Sequence, residues 1–167
     1  RGCAAENSED SSGKKLKFVF IGQIDGRKRL DLLLNAISRI PSDSYELDVV
    51  GSGGLEWAMK DYARSLGVTN VAWRGVIPMC EIPTVLSQTD CLVLPSNHDG
   101  WGAVVSEALL SGCRVICSDA CGSSGVAKAS EVGQVFSSGS VSELQEALQN
   151  SIDAGPVSAN ERMHTRI

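Results

Sequence analysis

Short apolar runs, each ended by a turn residue and followed by a stretch of helical periodicity, constrain this chain's fold more than any other feature of its sequence. Leu16-Lys-Phe-Val-Phe-Ile21 ends at Gly22, Tyr45-Glu-Leu-Asp-Val-Val50 at Gly51, and Asn70-Val-Ala-Trp-Arg74 at Gly75. Cys91-Leu-Val-Leu94 runs into Pro95-Ser96, Arg114-Val-Ile-Cys117 is followed by Ser118, and Gly133-Gln-Val-Phe136 is a weaker run of the same kind. Runs of this length, rich in β-branched and aromatic residues and bounded by turn signals, predict buried strands. Between them, Leu30, Leu33, Leu34 and Ile37 recur at helical spacing until Pro41 breaks the pattern. Leu55 to Leu66 carries a second helical pattern, closed by Gly67, and Glu81 to Gln88 a third, with Pro83 in its first turn where a missing N–H costs little. Val104, Val105, Ala108 and Leu109 mark a fourth helix, closed by Gly112, and a last one covers about Val141 to Ile152.

Strands alternating with helices must lie parallel, because each pair needs a crossover, and the crossover is right-handed. The expected fold is α/β: a doubly wound, mainly parallel six-stranded sheet of Rossmann-like type. Residues 15–154 form this domain, with 43% hydrophobic residues to fill a single core. Residues 1–14 are expected to be a disordered or linking leader, since Glu6 to Gly13 is too polar to bury a core, and residues 155–167 a C-terminal segment with the makings of a truncated helix. A start at Arg1 rather than Met suggests a fragment. Trp57 and Trp73 fall in helix and strand patterns and are expected in or against the core.

A formal charge of −5 speaks against a general nucleic-acid or anionic-membrane binder, so any anion site must be local. No apolar run reaches the roughly 18 residues of a membrane span and no signal peptide is visible, which suggests the cytoplasm. Of the six cysteines, Cys91, Cys113 and Cys117 lie in apolar runs and read as reduced core thiols. Cys113-x3-Cys117-x3-Cys121 lacks the paired spacing of a zinc site, so no metal ligands are assigned.

In such a fold ligands gather at the carboxyl ends of the strands. Three of the loops there carry chemistry. Gly22-Gln-Ile-Asp-Gly-Arg27-Lys28-Arg29 places three cations at the start of a helix, against the helix dipole, which an anion near Lys28 would relieve. Gly51-Ser-Gly-Gly54 fails the dinucleotide fingerprint, since Glu56 occupies the third glycine's place. Gly51 and Gly53 therefore fit either a tight turn or a backbone that a nucleotide approaches closely. Pro95-Ser-Asn-His-Asp99-Gly-Trp-Gly102 opens the fourth helix, so Gly100, Trp101, Gly102 and Ala103 can present free amides to a phosphate. Asp99 and Glu107, on one loop–helix unit, suit recognition of vicinal sugar hydroxyls. Glu107, amid Val104, Val105, Ala108 and Leu109, faces inward on this reading. His98 has no nucleophile pattern around it and reads as a loop residue; Trp101 suits either stacking or packing of its loop.

At these residues the chain resembles the C-terminal, donor-binding domain of the family-4, group 1 retaining glycosyltransferases, enzymes of the two-Rossmann-domain GT-B fold. The likeness runs from about Lys15 to Ile152. The family's Pro-Ser…Glu-x-Phe/Trp-Gly…Glu-Ala…Gly-x-Pro-Val-Ile appears as Pro95-Ser96…Asp99-Gly-Trp-Gly102…Glu107-Ala108…Gly112-Cys-Arg-Val-Ile116. Its Gly-Arg/Gln-Leu…Arg-Lys-Gly corresponds to Gly22-Gln23-Ile24…Arg27-Lys28-Arg29, and its Val-Gly-x-Gly to Val50-Gly51-Ser-Gly53. The resemblance implies that Lys28 binds the diphosphate, that amides around Ala103, Val104 and Val105 cradle it, and that Val76 touches the base through its backbone. It further implies that Glu107 binds the ribose and Asp99 the transferred sugar.

Two departures from the pattern matter. Gln23 stands where many members have arginine, which leaves charge neutralisation to Lys28 with help from Arg27. Asp99 is one methylene shorter than the usual glutamate; Arg114 takes a usual proline's place and is expected to be tolerated. The implied chemistry is transfer of a hexose from a nucleotide-diphosphate sugar, UDP first and GDP next, to a glycan or glycolipid acceptor. No cofactor or metal is obligatory in it, and charge on the leaving diphosphate is met by Lys28 and the helix N-terminus. The expected partner is an N-terminal acceptor-binding domain, which also carries any contact with the inner face of a membrane. Surface polysaccharide assembly is the expected setting, and the chain alone is expected to bind donor without turnover. A non-catalytic nucleotide-binding module of the same fold, or a GT-B nucleotide-sugar epimerase, is the alternative; a phosphorylase would need a pyridoxal-anchoring lysine that no motif supplies.

Overall fold

Residues 13–100 and 103–165 are described by a computed structural model. The apolar runs form the strands Leu16–Ile21 (β1), Tyr45–Val50 (β2), Val71–Gly75 (β3), Cys91–Leu94 (β4), Arg114–Ser118 (β5) and Gly133–Phe136 (β6). They make one six-stranded sheet in the order β3-β2-β1-β4-β5-β6, with every pairing parallel. The helices are Leu30–Ile37 (α1), Glu56–Ser65 (α2), Ile82–Ser87 (α3), Ala103–Leu110 (α4), Ser124–Ala129 (α5), Val141–Ala154 (α6) and Ala159–Thr165 (α7). A short 3-10 turn, Met79–Glu81, leads into α3.

Successive strand residues point to opposite faces, and the core divides accordingly. Phe18, Phe20, Val93 and Ile116 join Leu33, Leu34, Ile37, Leu144 and Leu148 on the face covered by α1, α2 and α6. Val19, Leu92, Leu94, Val115 and Cys117 join Leu86, Val105, Ala108 and Ala127 on the face covered by α3, α4 and α5. The chain moves outward from β1 to β3, then returns past β1 to β4 and moves outward the other way. This reversal is the topological switch point, where the loops after neighbouring strands part to opposite faces and leave a crevice. The register shows the parting: β1 pairs with β2 along its length, from Leu16–Tyr45 to Ile21–Val50, but with β4 only at Phe18–Cys91 and Val19–Leu92.

Two expectations need correction. A helix, α5, stands between β5 and β6, where the sequence suggested a loop running to Gly125; its six residues, Ser124 to Ala129, include two glycine or serine positions and too few apolar ones to show a helical period. The segment past residue 154 does contain a helix, α7. Trp57 is 74% exposed rather than part of the core. The inward stripe of α2 is Met59, Tyr62, Ala63 and Leu66, at helical spacing, and Trp57 lies off that stripe. Trp73 packs partly buried against the core as expected, with the Lys60 ammonium 5.7 Å from its ring centre. Cys91, Cys113, Cys117 and Cys121 are buried free thiols and Cys80 an exposed one; Cys3 lies outside the described residues. Burial pushes Cys91 well up and Cys113 up to about 12, so both hold their protons at neutral pH.

Candidate functional site

The loops that follow β1 and β4 flank the switch point, and across it Lys28 and Asp99 meet. Lys28 Nζ donates to Asp99 Oδ2 at 2.6 Å, and the two side chains are 13% and 12% exposed. Seventy-one positions separate them in sequence, so the contact is a product of the sheet order. Each side has its own support. The Asp25 carboxylate accepts the backbone N–H groups of Arg27 (3.0 Å) and Lys28 (3.1 Å), fixing the turn that aims Lys28. The Lys28 stem then lies over Gly22, where an added Cβ would meet its methylenes at 3.5 Å. On the other side, the hydroxyl of the buried Ser96 donates to Asp99 Oδ2 at 3.2 Å. Ser118 in turn donates to the Ser96 carbonyl at 2.5 Å, and Gly122 N–H to the carbonyls of Asp99 and Gly100. The loop after β5 therefore braces the Asp99 loop from below.

Charge in the Lys28 loop is answered by carboxylates more fully than the sequence suggested. Besides the Lys28–Asp99 pair, Arg29 Nε and Nη2 donate to Asp31 at 3.0 and 3.2 Å, and Arg29 Nη1 to Asn97 Oδ1 at 3.2 Å. Arg27 projects exposed, as does Gln23. Arg29 also adopts φ 54 at the N-cap of α1, a left-handed conformation that glycine takes freely. The corresponding position is glycine in the pattern this chain resembles, and here the side-chain bonds to Asp31 and Asn97 hold the arginine in that conformation.

Gly51 and Gly53 have a structural reason. At Gly51, with φ +132, a Cβ would lie 1.9 Å from the Gly22 carbonyl oxygen, and at Gly53 one would lie 2.4 Å from that of Ile24. The two loops run against each other through Gly22 N–H to Val50 O and Ile24 N–H to Ser52 O, while Gly51 N–H bonds Gly75 O. These glycines bring the β2 loop under the Lys28 loop, and Gly22, Gly51 and Gly53 shape the site by packing.

Asp99 and Gly100 lead into α4, which begins at Ala103; Trp101 and Gly102 lie outside the described residues. Glu107 stands one turn into α4, half-buried rather than inward-facing, and its side chain makes no hydrogen bond or ion pair among the described residues. Val105 is fully buried, Val104 half-buried and Ala103 exposed. Val76, just past β3, is 73% exposed at the same edge of the sheet. His98 is an exposed loop residue. Sequence reasoning missed Asp25, Ser96 and Ser118 as supports. Asp25 carried a signal in its place two residues before Arg27, the spacing of an Asx turn; Ser96 carried one in the Pro-Ser of the motif, and Ser118 none, because its bond to Ser96 depends on the β4–β5 pairing. Among the described residues no group of three or more His, Cys, Asp or Glu side chains is placed to hold a metal ion.

A doubly wound parallel sheet with a lysine–aspartate pair at its switch point defines a domain of the Rossmann-like class. The chain belongs to the glycosyl transferases group 1 family, whose model matches residues 4–166. Its likeness to a 41.2 kDa protein of the cps region of Klebsiella pneumoniae is 27% identity over 113 residues, 68% of this chain and 30% of that protein. The O-antigen chain mannosyltransferase B of Escherichia coli is 27% identical over 108 residues, 60% of this chain and 28% of the relative. The chain thus spans less than a third of the length of these relatives. Among solved structures, Anabaena Alr3699/HepE in complex with UDP superposes with a TM-score of 0.80 at 18% identity, over 93% of this chain and 44% of that one. At that identity the likeness shows the fold, one Rossmann-like domain of a GT-B glycosyltransferase.

Proposed function

We propose that this chain is the donor-binding domain of a retaining glycosyltransferase, which holds a nucleotide-diphosphate sugar in the crevice between the β1 and β4 loops. The observation that carries this reading is the Lys28–Asp99 contact across the switch point, with Glu107 one turn into the adjoining helix. Lys28 neutralises the diphosphate, and the amides from Gly100 to Val105 add the positive end of α4. Asp99 and Glu107 accept hydroxyl protons, Asp99 from the transferred hexose and Glu107 from the ribose. Val76 contacts the base through its backbone. As the sugar–oxygen bond breaks, charge accumulates on the leaving diphosphate, and Lys28 stabilises it with help from Arg27 in place of an arginine at Gln23.

UDP is the favoured nucleotide, supported by the UDP bound to a protein of the same fold, with GDP next. An N-terminal domain supplies the acceptor site, and the product belongs to a surface polysaccharide, a setting in keeping with the cps-region and O-antigen relatives. A cytoplasmic setting belongs to this reading. No helix among the described residues is long and apolar enough to cross a membrane. Backbone NMR of the chain titrated with UDP, GDP and ADP tests the reading. Saturable shifts at Lys28 and from Gly100 to Glu107 are expected with one of them. No binding by any, or shifts confined to other loops, would refute it.

A further inference from the structure

We propose that Asp99 makes this site discriminate against the free nucleoside diphosphate in favour of the nucleotide sugar, and so promotes release of the product that remains after transfer. The inference rests on the donor reading above and adds a role that lies in the pairing itself. Asp99 Oδ2 is 2.6 Å from Lys28 Nζ, with both side chains more than four-fifths buried. A phosphate that takes one of the remaining Lys28 protons must then lie within a few ångströms of the Asp99 carboxylate. The pair presents that phosphate with little net charge, and the partly dry setting strengthens the like-charge repulsion. Ser96 and the Gly122 amide hold Asp99 and its loop in place, so the carboxylate does not swing away at no cost.

The two ligands feel this differently. A glycosylated phosphate carries one negative charge and brings sugar hydroxyls that donate to Asp99. A terminal phosphate has a second ionisation near neutral pH and brings no such donor. Repulsion is therefore largest for the nucleoside diphosphate and is offset for the nucleotide sugar.

Calorimetric titration of the wild-type chain and Asp99→Asn with UDP, UDP-glucose and inorganic pyrophosphate separates the possibilities. Asp99→Asn is expected to bind UDP and pyrophosphate about fivefold more tightly or better, the size of one like-charge contact even at water's dielectric constant. UDP-glucose is expected to bind it no better than wild type. Lys28→Met is expected to weaken all three. UDP and pyrophosphate that bind wild type measurably but Asp99→Asn equally or less tightly would overturn the inference while leaving the donor reading intact. Failure of wild type to bind any of the three would remove the donor reading and the inference together. Should Asp99→Asn lose its dispersed amide spectrum, Asp99→Ser, which keeps a hydroxyl for Lys28, carries the same expectations.

Discussion

Arg29 shows how a single residue can depart from a family pattern and still serve the same local geometry. Its φ of 54 costs about 1–2 kcal/mol for a residue with a Cβ, and its bonds to Asp31 and Asn97 offset that cost. Replacing it by glycine removes the strain and the bonds together, so Arg29→Gly is expected to change stability by no more than about 1 kcal/mol. Arg29→Val keeps the strain, worsens it by β-branching and loses the bonds, and is expected to cost more than about 2 kcal/mol. Urea unfolding of both variants checks the contrast; equal losses would show that the backbone conformation is not what matters there. The sequence carried one sign of this, since Arg29 stands at the glycine of the resembled pattern, but its bonds to Asp31 and Asn97 were not legible there. Lys28 was legible as a cation at the ligand-binding edge of the sheet, but its carboxylate partner was not, because nothing local links positions 28 and 99.

Among the elements, α7 depends most on a few polar contacts. Arg114 at the start of β5 donates through Nε and Nη2 to Glu161 at 2.8 and 3.0 Å and through Nη1 to the Gly155 carbonyl at 2.6 Å, tying α7 and the end of α6 to the sheet. Hydrogen bonds from Arg114 hold the Glu161 carboxyl below the usual glutamate range. A depressed folded value means that this stabilisation is complete above the unfolded glutamate pKa of about 4.3 and is lost as pH falls through the lower folded one. Hydrogen exchange over residues 159–163 is therefore expected to accelerate as pH falls below about 4, beyond the intrinsic rate, and to be fast already at pH 7 in Arg114→Ala. Unchanged protection in that variant would contradict this account of α7. The sequence showed Arg114 only as a tolerated replacement for proline, whereas here it is a fastening. It likewise missed α5, whose six residues are too short for a period, yet it placed β1, β2, β4 and β6 at their observed bounds because buried strands announce themselves by composition.

At the scale of the whole molecule, the strand order decides where Lys28 and Asp99 meet. Alternation of strands and helices predicted a doubly wound sheet, and any such sheet has a switch point; only the order β3-β2-β1-β4-β5-β6 puts the reversal between the Lys28 and Asp99 loops. The two halves of the site then come from opposite sides of the reversal, braced by the β2 loop through Gly51 and by the β5 loop through Ser118. The central claim, that a donor's diphosphate lies in this crevice, is tested most directly by a crystal structure of the chain soaked with UDP-glucose. Diphosphate density is expected within hydrogen-bond reach of Lys28 Nζ and of the amides that open α4. Density instead in the separate cavity lined by Lys17, Asp48, Arg74 and Gln88, with the Lys28–Asp99 crevice filled by water, would contradict it.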